Sequence, residues 1–303
     1  MSNPRQRCFF HVGKGGVGKS TSSALAALHL ARTGRTVVLV SLDPAHNQCD
    51  IFATDLGEKP RELRPGLLAA QADTDAWMAR YLRGVEDQMR RTYTYQTAFN
   101  LEKHMGIIRH SPGIEEYGLL LAFRHYRDKH PDADVIIYDM PPTALSMKFF
   151  HLPALSLLWI GELTKLRGEI LKRKEIITKI QLGKATMETD KISCRLSEQQ
   201  AGFRELAELF RTPETCRLHI VVNPDTLSFA EAERVHAQLS GMDIAPAGVI
   251  MNKADANCAW KHTSQLFREH EVHKLPLSET PLIGLTALDA YLDHHSGQLG
   301  FIE

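Results

Sequence analysis

The sequence predicts an α/β protein: a mostly parallel, doubly wound sheet with helices on both faces and a helical subdomain inserted beside it. Three observations carry this. Short apolar runs of strand character alternate with stretches of helical period along most of the 303 residues, the pattern of a parallel sheet joined by crossover helices. The first run, RCFFHV at 7–12, leads through a glycine-rich loop straight into a helix. Two further runs, TVVLVSL and DVIIYD, deliver Asp43 and Asp139 at their carboxyl ends, the edge of a parallel sheet where ligands bind.

Taken in order, RCFFHV is a short buried strand, and Gly13–Ser20 then matches G-x-x-x-x-G-K-[ST]. STSSALAALHLARTG follows as a helix, with Ser20 and Thr21 in its first turn and Gly34 as its stop. Glycines 13, 15, 16 and 18 let the backbone N–H groups of Gly13 through Thr21, Val17 included, turn toward phosphate oxygens. The helix N-terminus adds partial positive charge. In this motif Lys19 reaches the β- and γ-phosphates and the Ser20 hydroxyl ligates Mg²⁺. A second lysine, Lys14, stands earlier in the same loop. With the phosphate position already filled by Lys19, Lys14 is most useful if it projects outward to a nucleotide held by another subunit. The next strand, TVVLVSL, ends at Asp43–Pro44. A carboxylate there can orient or deprotonate an attacking water, although Asp-Pro also serves as a simple turn.

Composition narrows the classes. The chain is 43% hydrophobic and 24% charged, with 36 basic residues against 36 acidic ones. That balance gives no bulk drive toward nucleic acid or anionic lipid. No unbroken apolar run reaches the ~18 residues of a membrane span, and the first residues carry no signal-peptide pattern. Five dispersed cysteines (Cys8, Cys49, Cys194, Cys216, Cys258) fit free thiols in a reducing cytoplasm. One phosphate loop and no internal duplication indicate a single domain over 1–303, with helical inserts at about 75–108 and 154–212.

Further segments follow in a fixed order: DPAHN with QCDIF at 43–52, HSPGIEEYGLLLAF at 110–123, DVIIYDMPPTALSMKFFHLP at 134–153, LHIVVNPDTLSFAEAERVHAQLSGMDIAPAGVIMNKAD at 218–255 and VHKLPLSETPLIGLTAL at 272–288. With the two-lysine loop K-G-G-V-G-K-S-T they resemble the arsenite-efflux and tail-anchored-protein-targeting ATPase family, P-loop NTPases of the deviant Walker A type. The resemblance implies ATP and Mg²⁺. It implies that Asp43 activates water, that Asn47 helps the first switch sense the γ-phosphate, and that Asp139 acts near Mg²⁺ through water. Asn252 would read the base with Pro276 beside it, and Lys14 would cross to the partner's phosphates in a face-to-face homodimer.

Two departures qualify this. N-K-A-D at 252–255 literally matches the guanine-reading N-K-x-D, leaving GTP as an alternative. The C-x-x-C zinc motif of the targeting branch is missing: the place reads NCAWKH, where Cys258 and His262 are four apart. Zinc is therefore not expected, although two such pairs across a dimer would make a Cys₂His₂ set.

The inserts bear on the partner. Residues 75–108 are helical in pattern and rich in Met, Tyr and Arg; 154–212 are helical around a polar centre near 183–194 that is a candidate for disorder. In the family the matching inserts form a groove for a client's membrane helix. Phe149, Phe150, Leu152, Leu155, Leu157, Leu158, Trp159 and Ile160 could line such a groove, be ordinary core or form a dimer contact. The expected activity is a Mg²⁺-dependent dimeric ATPase that opens and closes, targeting or chaperoning an apolar-helix client to a membrane receptor from the cytoplasm. A regulatory or maturation ATPase with a soluble or metal-centre partner is the alternative. A metalloid-stimulated pump ATPase is third, since the thiols are scattered and Cys49 alone is near the nucleotide.

Overall fold

The computed structural model describes residues 6–92, 113–182, 190–254 and 265–295. At its centre lies β1 (Arg7–Val12), hydrogen-bonded in parallel on one side to β5 (Val135–Asp139) and on the other to β6 (Cys216–Val222). The period of two in RCFFHV feeds both faces: Cys8, Phe10 and Val12 enter one core, Phe9 the other. Such a strand is mostly apolar because neither face meets water.

The remaining strands complete an eight-stranded sheet. Beyond β5 come β2 (Val37–Ser41), β4 (Leu67–Gln71) and the edge strand β3 (Arg61–Arg64); beyond β6 come β7 (Gly248–Ala254) and β8 (Val272–Pro276). All pairings are parallel except β3 with β4. Strand order reverses direction at β1, because β1 is followed by β2 on one side while β6 lies on the other. Ligands bind at the carboxyl end of such a switch point, and this is where the glycine-rich loop sits.

Helices cover both faces, as expected. On one face α1 (Lys19–Arg32), α2 (Asn47–Phe52) and α9 (Gly284–His295) bury Leu25, Leu28, Phe52, Leu288 and Leu292. On the other, α4 (Ile114–Lys129), α5 (Thr143–Leu182), α6 (Lys191–Arg211), α7 (Thr226–Ser240) and the short α8 (Gln265–Glu269) surround an aromatic core. Alongside α4 runs α3 (Thr74–Thr92), the start of the first insert. The predicted stop of α1 is present: Thr33 caps the helix and Gly34 follows at φ 86°, a left-handed turn suited to glycine.

The aromatic core joins the sheet to the second insert. Phe10 stacks on Tyr138 at 5.2 Å and meets Phe150 and Phe210 edge-on at 5.2 and 5.8 Å. Phe149, Phe150 and Phe210 also pack on one another. The Tyr138 hydroxyl is paid no desolvation penalty unmatched, since it donates to the Phe123 carbonyl at 3.1 Å.

Residue 154 is not an element boundary: α5 continues unbroken through Pro153. Pro153 is buried and removes one backbone hydrogen bond, the one to Phe149. Packing on both sides holds the helix across that gap. Of the polar centre near 183–194, residues 183–189 lie outside the described residues. From Asp190 the chain is helical: the Asp190 carboxylate accepts from Ile192 N–H at 3.2 Å and from both arms of Arg167 at 2.8 and 2.9 Å. It caps α6 and ties it to α5. Of the first insert, residues 93–108 are likewise outside the described residues.

The segment Thr143–Arg173 is long and apolar enough to cross a membrane by length and composition, and a third of its most apolar window is buried. No single unbroken run signals it in the sequence, because two apolar faces of one helix add up in the same window.

Phe210 carries the packing between α6 and the sheet, so Phe210→Ala should cost about 3–5 kcal/mol. Urea denaturation checks this; a loss under about 1 kcal/mol would show that α6 is not part of the cooperative core.

Candidate active site

The loop after β1 takes its shape from steric contacts. Gly13 has φ 154° and Gly18 has φ 91°; a Cβ would overlap the Val221 carbonyl oxygen at Gly13 and the Asn252 carboxamide at Gly18. The loop is thus pressed against the ends of β6 and β7, which glycine alone permits. Lys14, Gly15 and Gly16 are exposed, whereas Val17, Lys19 and Ser20 are buried and Thr21 half-buried. Lys19 Nζ donates back to the Lys14 carbonyl at 3.3 Å. Burial lowers its pKa, partly offset by the Asp139 and Asp43 carboxylates. Below the loop, His11 Nδ1 lies 2.9 Å from Ser23 Oγ and 3.3 Å from Ser22 Oγ. These contacts bind β1 to the first turns of α1. Burial holds the His11 ring neutral, with its pKa down to about 4.

Asp139, the last residue of β5, is fully buried. Gln48 Nε2 donates to Asp139 Oδ2 and to the Ser20 carbonyl, each at 2.9 Å. No hydrogen-bond partner reaches Asp139 Oδ1 among the described residues. Burial pushes the carboxyl up to about 6, against the pull of Gln48, Ser20 and Lys19 toward the charged form. A buried carboxylate oxygen without a partner, beside a serine hydroxyl at a helix start, fits a hard cation that keeps several waters, as Mg²⁺ does. Ser20 would hold it directly and Asp139 through water.

Asp43 follows two residues after the end of β2 and is buried. Its Oδ1 accepts from Ala45 N–H at 3.0 Å, and its carbonyl accepts from Gln71 Nε2 at 2.9 Å. The turn it starts ends at His46, in the left-handed region at φ 55°, and Asn47 then opens α2, half-buried. The geometry thus keeps Asp43 at the mouth of the loop with one carboxylate oxygen bonded locally.

Asn252 is on β7 and buried, its Nδ2 donating to the Val17 carbonyl at 2.9 Å. Next to it Lys253 has φ 55° and sits where the β7–β8 register shifts. In this arrangement the Asn252 amide clamps the phosphate loop. The amide carries a second N–H and an acceptor oxygen, so this bond and a contact to a base are compatible. Pro276 ends β8, and its carbonyl accepts from the Tyr291 hydroxyl at 2.8 Å. Asp255, Cys258 and His262 lie outside the described residues.

Sequence reasoning named Asn47 and passed over Gln48 and Gln71, whose amides fasten the two aspartates. The available signal was slight: two glutamines beside apolar neighbours, one just after the A-H-N turn. Their role depends on which strand ends become neighbours. Two of the dispersed cysteines also prove adjacent: Cys8 and Cys216 are paired across β1 and β6, both buried. Burial pushes the Cys8 thiol up to about 12, which makes it a packing residue.

A family model described as "Anion-transporting ATPase" matches residues 6–293. "Putative arsenical pump-driving ATPase 1" of Aquifex aeolicus is 26% identical over 93% of this chain and 77% of its own. "ATPase get3" of Schizosaccharomyces japonicus is 27% identical over 94% of this chain and 90% of its own. "ATPase ASNA1 homolog" of Dictyostelium discoideum is 24% identical over 96% and 90%.

The raised Asp139 pKa has a consequence for stability. The folded chain binds that proton more tightly than the unfolded one, so stability falls as pH rises from about 4 to about 6 and the cost is complete above that. Asp139→Asn should therefore stabilise the nucleotide-free protein at pH 8 by up to about 3 kcal/mol, while Mg²⁺-dependent ATP hydrolysis collapses. Thermal unfolding at pH 4 and pH 8 checks it; a variant less stable than the parent at pH 8 contradicts the account.

Proposed function

The chain belongs to the anion-transporting ATPase family, and from that premise we propose that it works as a homodimer which closes over Mg²⁺-ATP and opens on hydrolysis to handle a client's apolar helix. ATP hydrolysis itself is the activity of the family and of the relatives named above. Those names also favour ATP over the GTP that the literal N-K-A-D would suggest.

One observation carries the client reading. Along α5, Leu155, Leu158, Trp159, Leu163, Leu166 and Ile170 are exposed, Leu158 to 70% and Trp159 to 65%. The intervals of three and four place them on one face of the helix. Their neighbours Phe149, Phe150 and Ile160 are buried, and Leu152 and Leu157 pack partly against the core. The apolar residues of this helix thus divide into a core face and a solvent face, and a contiguous exposed apolar face marks a binding surface. A sealed polar insert would favour a soluble or metal-centre partner; the open apolar face favours the client. The buried Cys8 and Cys216 and the exposed Cys194 offer little to a metalloid. The reading implies a cytoplasmic protein that visits a membrane receptor to deliver its client.

The chain's own residues divide the hydrolytic work. The loop amides of Gly13–Thr21 and the Lys19 ammonium hold the phosphates. Ser20 directly and Asp139 through water would hold the cation, which would supply charge neutralisation for the phosphates. Asp43 takes the proton of the attacking water or orients it, and Asn47, at the start of α2, senses whether the γ-phosphate is present. Gln48 links that switch to Asp139. Thr143 begins α5 four residues after Asp139, and Leu158 lies 15 residues further along the same helix, about 22 Å at 1.5 Å per residue. The helix thus runs from near Asp139 to the apolar face, with the missing hydrogen bond at Pro153 as the point along it where it can bend. Lys14 is exposed at the loop tip, well placed to serve the partner's phosphates.

Two experiments test this. The first uses Asp43→Asn, which should hold ATP and hydrolyse it slowly, and a labelled apolar peptide of about 20 residues. Leu158→Glu with Trp159→Glu should weaken peptide binding at least tenfold while leaving ATP turnover of the otherwise unaltered chain within about twofold. Equal binding by both proteins would remove the client reading. The second mixes Lys14→Ala with Lys19→Ala subunits. Each parent should be nearly inactive, since a charge supplied in trans contributes ~10³-fold or more. The mixed dimer holds one complete site and should regain turnover. Heterodimers as inactive as the parents would mean that Lys14 does not act in trans.

A further inference from the structure

Away from the phosphate loop, α7 and α8 bring together three metal-binding side chains. Phe229 of α7 meets Phe267 of α8 edge-on at 5.3 Å, and Leu266 is buried in the core. The short α8 is thereby fixed against α7. This sets His236, one face of α7, opposite His270, just past the end of α8, with Nε2 to Nε2 3.3 Å apart and the rings inclined at 77°. One ring nitrogen of each histidine and a Glu269 carboxylate oxygen all lie within 4.8 Å of one another.

We propose that His236, Glu269 and His270 form a site for a divalent transition metal of the Zn²⁺ class, with its fourth position open to water. The spacing is the first reason. Two imidazole nitrogens bound to tetrahedral Zn²⁺ at about 2.0–2.1 Å stand about 3.3–3.4 Å apart, which is the separation already present. As a hydrogen bond between rings the same distance is long. The donor set is the second reason. Two imidazoles and a carboxylate suit Zn²⁺ and its neighbours, while Mg²⁺ and Ca²⁺ require oxygen cages. Accessibility is the third: both rings are half-buried and Glu269 is exposed, so an ion can enter from solvent. Burial and the facing ring also lower the His270 pKa, against the pull of Glu269, which favours the neutral, ligating imidazole.

The ion would staple α7 to α8. The helix α8 lies between β7 and β8, the strands that carry Asn252 and Pro276. Occupancy would therefore brace the edge of the sheet next to the presumptive base-binding residues without touching the phosphates. The site is distinct from Cys258 and His262, and it stands whether or not the client reading does.

The test reads metal directly. Chelator-treated full-length protein is titrated with Zn²⁺ against a chromogenic indicator, and with Co²⁺ for its visible d–d bands. The expected result is one ion per chain, four-coordinate Co²⁺ bands, and a rise in Tm of several degrees when Zn²⁺ exceeds Kd a hundredfold. His236→Asn and His270→Asn should each weaken binding by about 100-fold or more and abolish the Co²⁺ bands, with metal-free Tm close to that of the parent as evidence of folding. Zn²⁺ held with undiminished affinity in both histidine variants would assign it to other donors and overturn the proposal. So would a parent chain that binds no Zn²⁺ at 100-fold the protein concentration, which would leave the two rings as a hydrogen-bonded pair.

Discussion

A buried carboxylate with one oxygen left unpaired governs the arrangement around it. Asp139 ends the strand next to β1, inside the sheet's carboxyl edge, where water cannot solvate it. The fold offers it the Gln48 amide, the Ser20 hydroxyl and the nearby charge of Lys19, while Oδ1 has no hydrogen-bond partner among the described residues. A buried polar atom left so is costly, and a bound cation would offset that cost. Holding the carboxylate there also determines the neighbours: α2 must come close enough for Gln48 to reach both Asp139 and the Ser20 carbonyl. A single glutamine side chain of α2 thus joins Asp139 to the first turn of α1.

The phosphate loop is constrained from the opposite side. Asn252 holds the Val17 carbonyl, and Gly13 lies against the Val221 carbonyl. The loop is thus gripped between the switch on one flank and β6–β7 on the other, with only the segment Lys14–Gly16 facing outward. Rigid flanks and an exposed tip suit a loop that presents amides inward and one cation outward. Asn252 therefore ties the loop to the end of β7 with one hydrogen bond of its amide.

The helix α5 has a divided character. Its beginning is part of the aromatic core around Phe10 and Phe210, while its middle turns a row of leucines and Trp159 to solvent. Burying a large apolar side chain is worth roughly 1.5–3 kcal/mol, so a row left exposed is a substantial driving force held in reserve. The cores on the two faces of the sheet are full without it, which is why the row can remain uncovered without loss of the fold.

Much of this was legible in the amino-acid order. The strand–loop–helix at 7–32 reads directly, because glycine spacing, two lysines and a buried strand are local properties that steric rules translate into one geometry. The remaining parallel strands are legible for the same reason: TVVLVSL, DVIIYD and GVIMN are apolar on both faces, as only central strands are. Other features are silent in sequence. β3 and β4, at 61–71, include a polar edge strand whose RELR carries no apolar alternation. Whether Leu158 and Ile160 are core or surface cannot be told from one apolar stretch, since the answer depends on where α4 and α6 lie. Gln48, Gln71 and the His236–His270 pair acquire roles only through neighbours distant in the chain. Local sterics and periodicity determined the elements and the phosphate loop; the contacts between elements, which close only when strand order is established, decided which polar groups are buried together and which apolar face is left open.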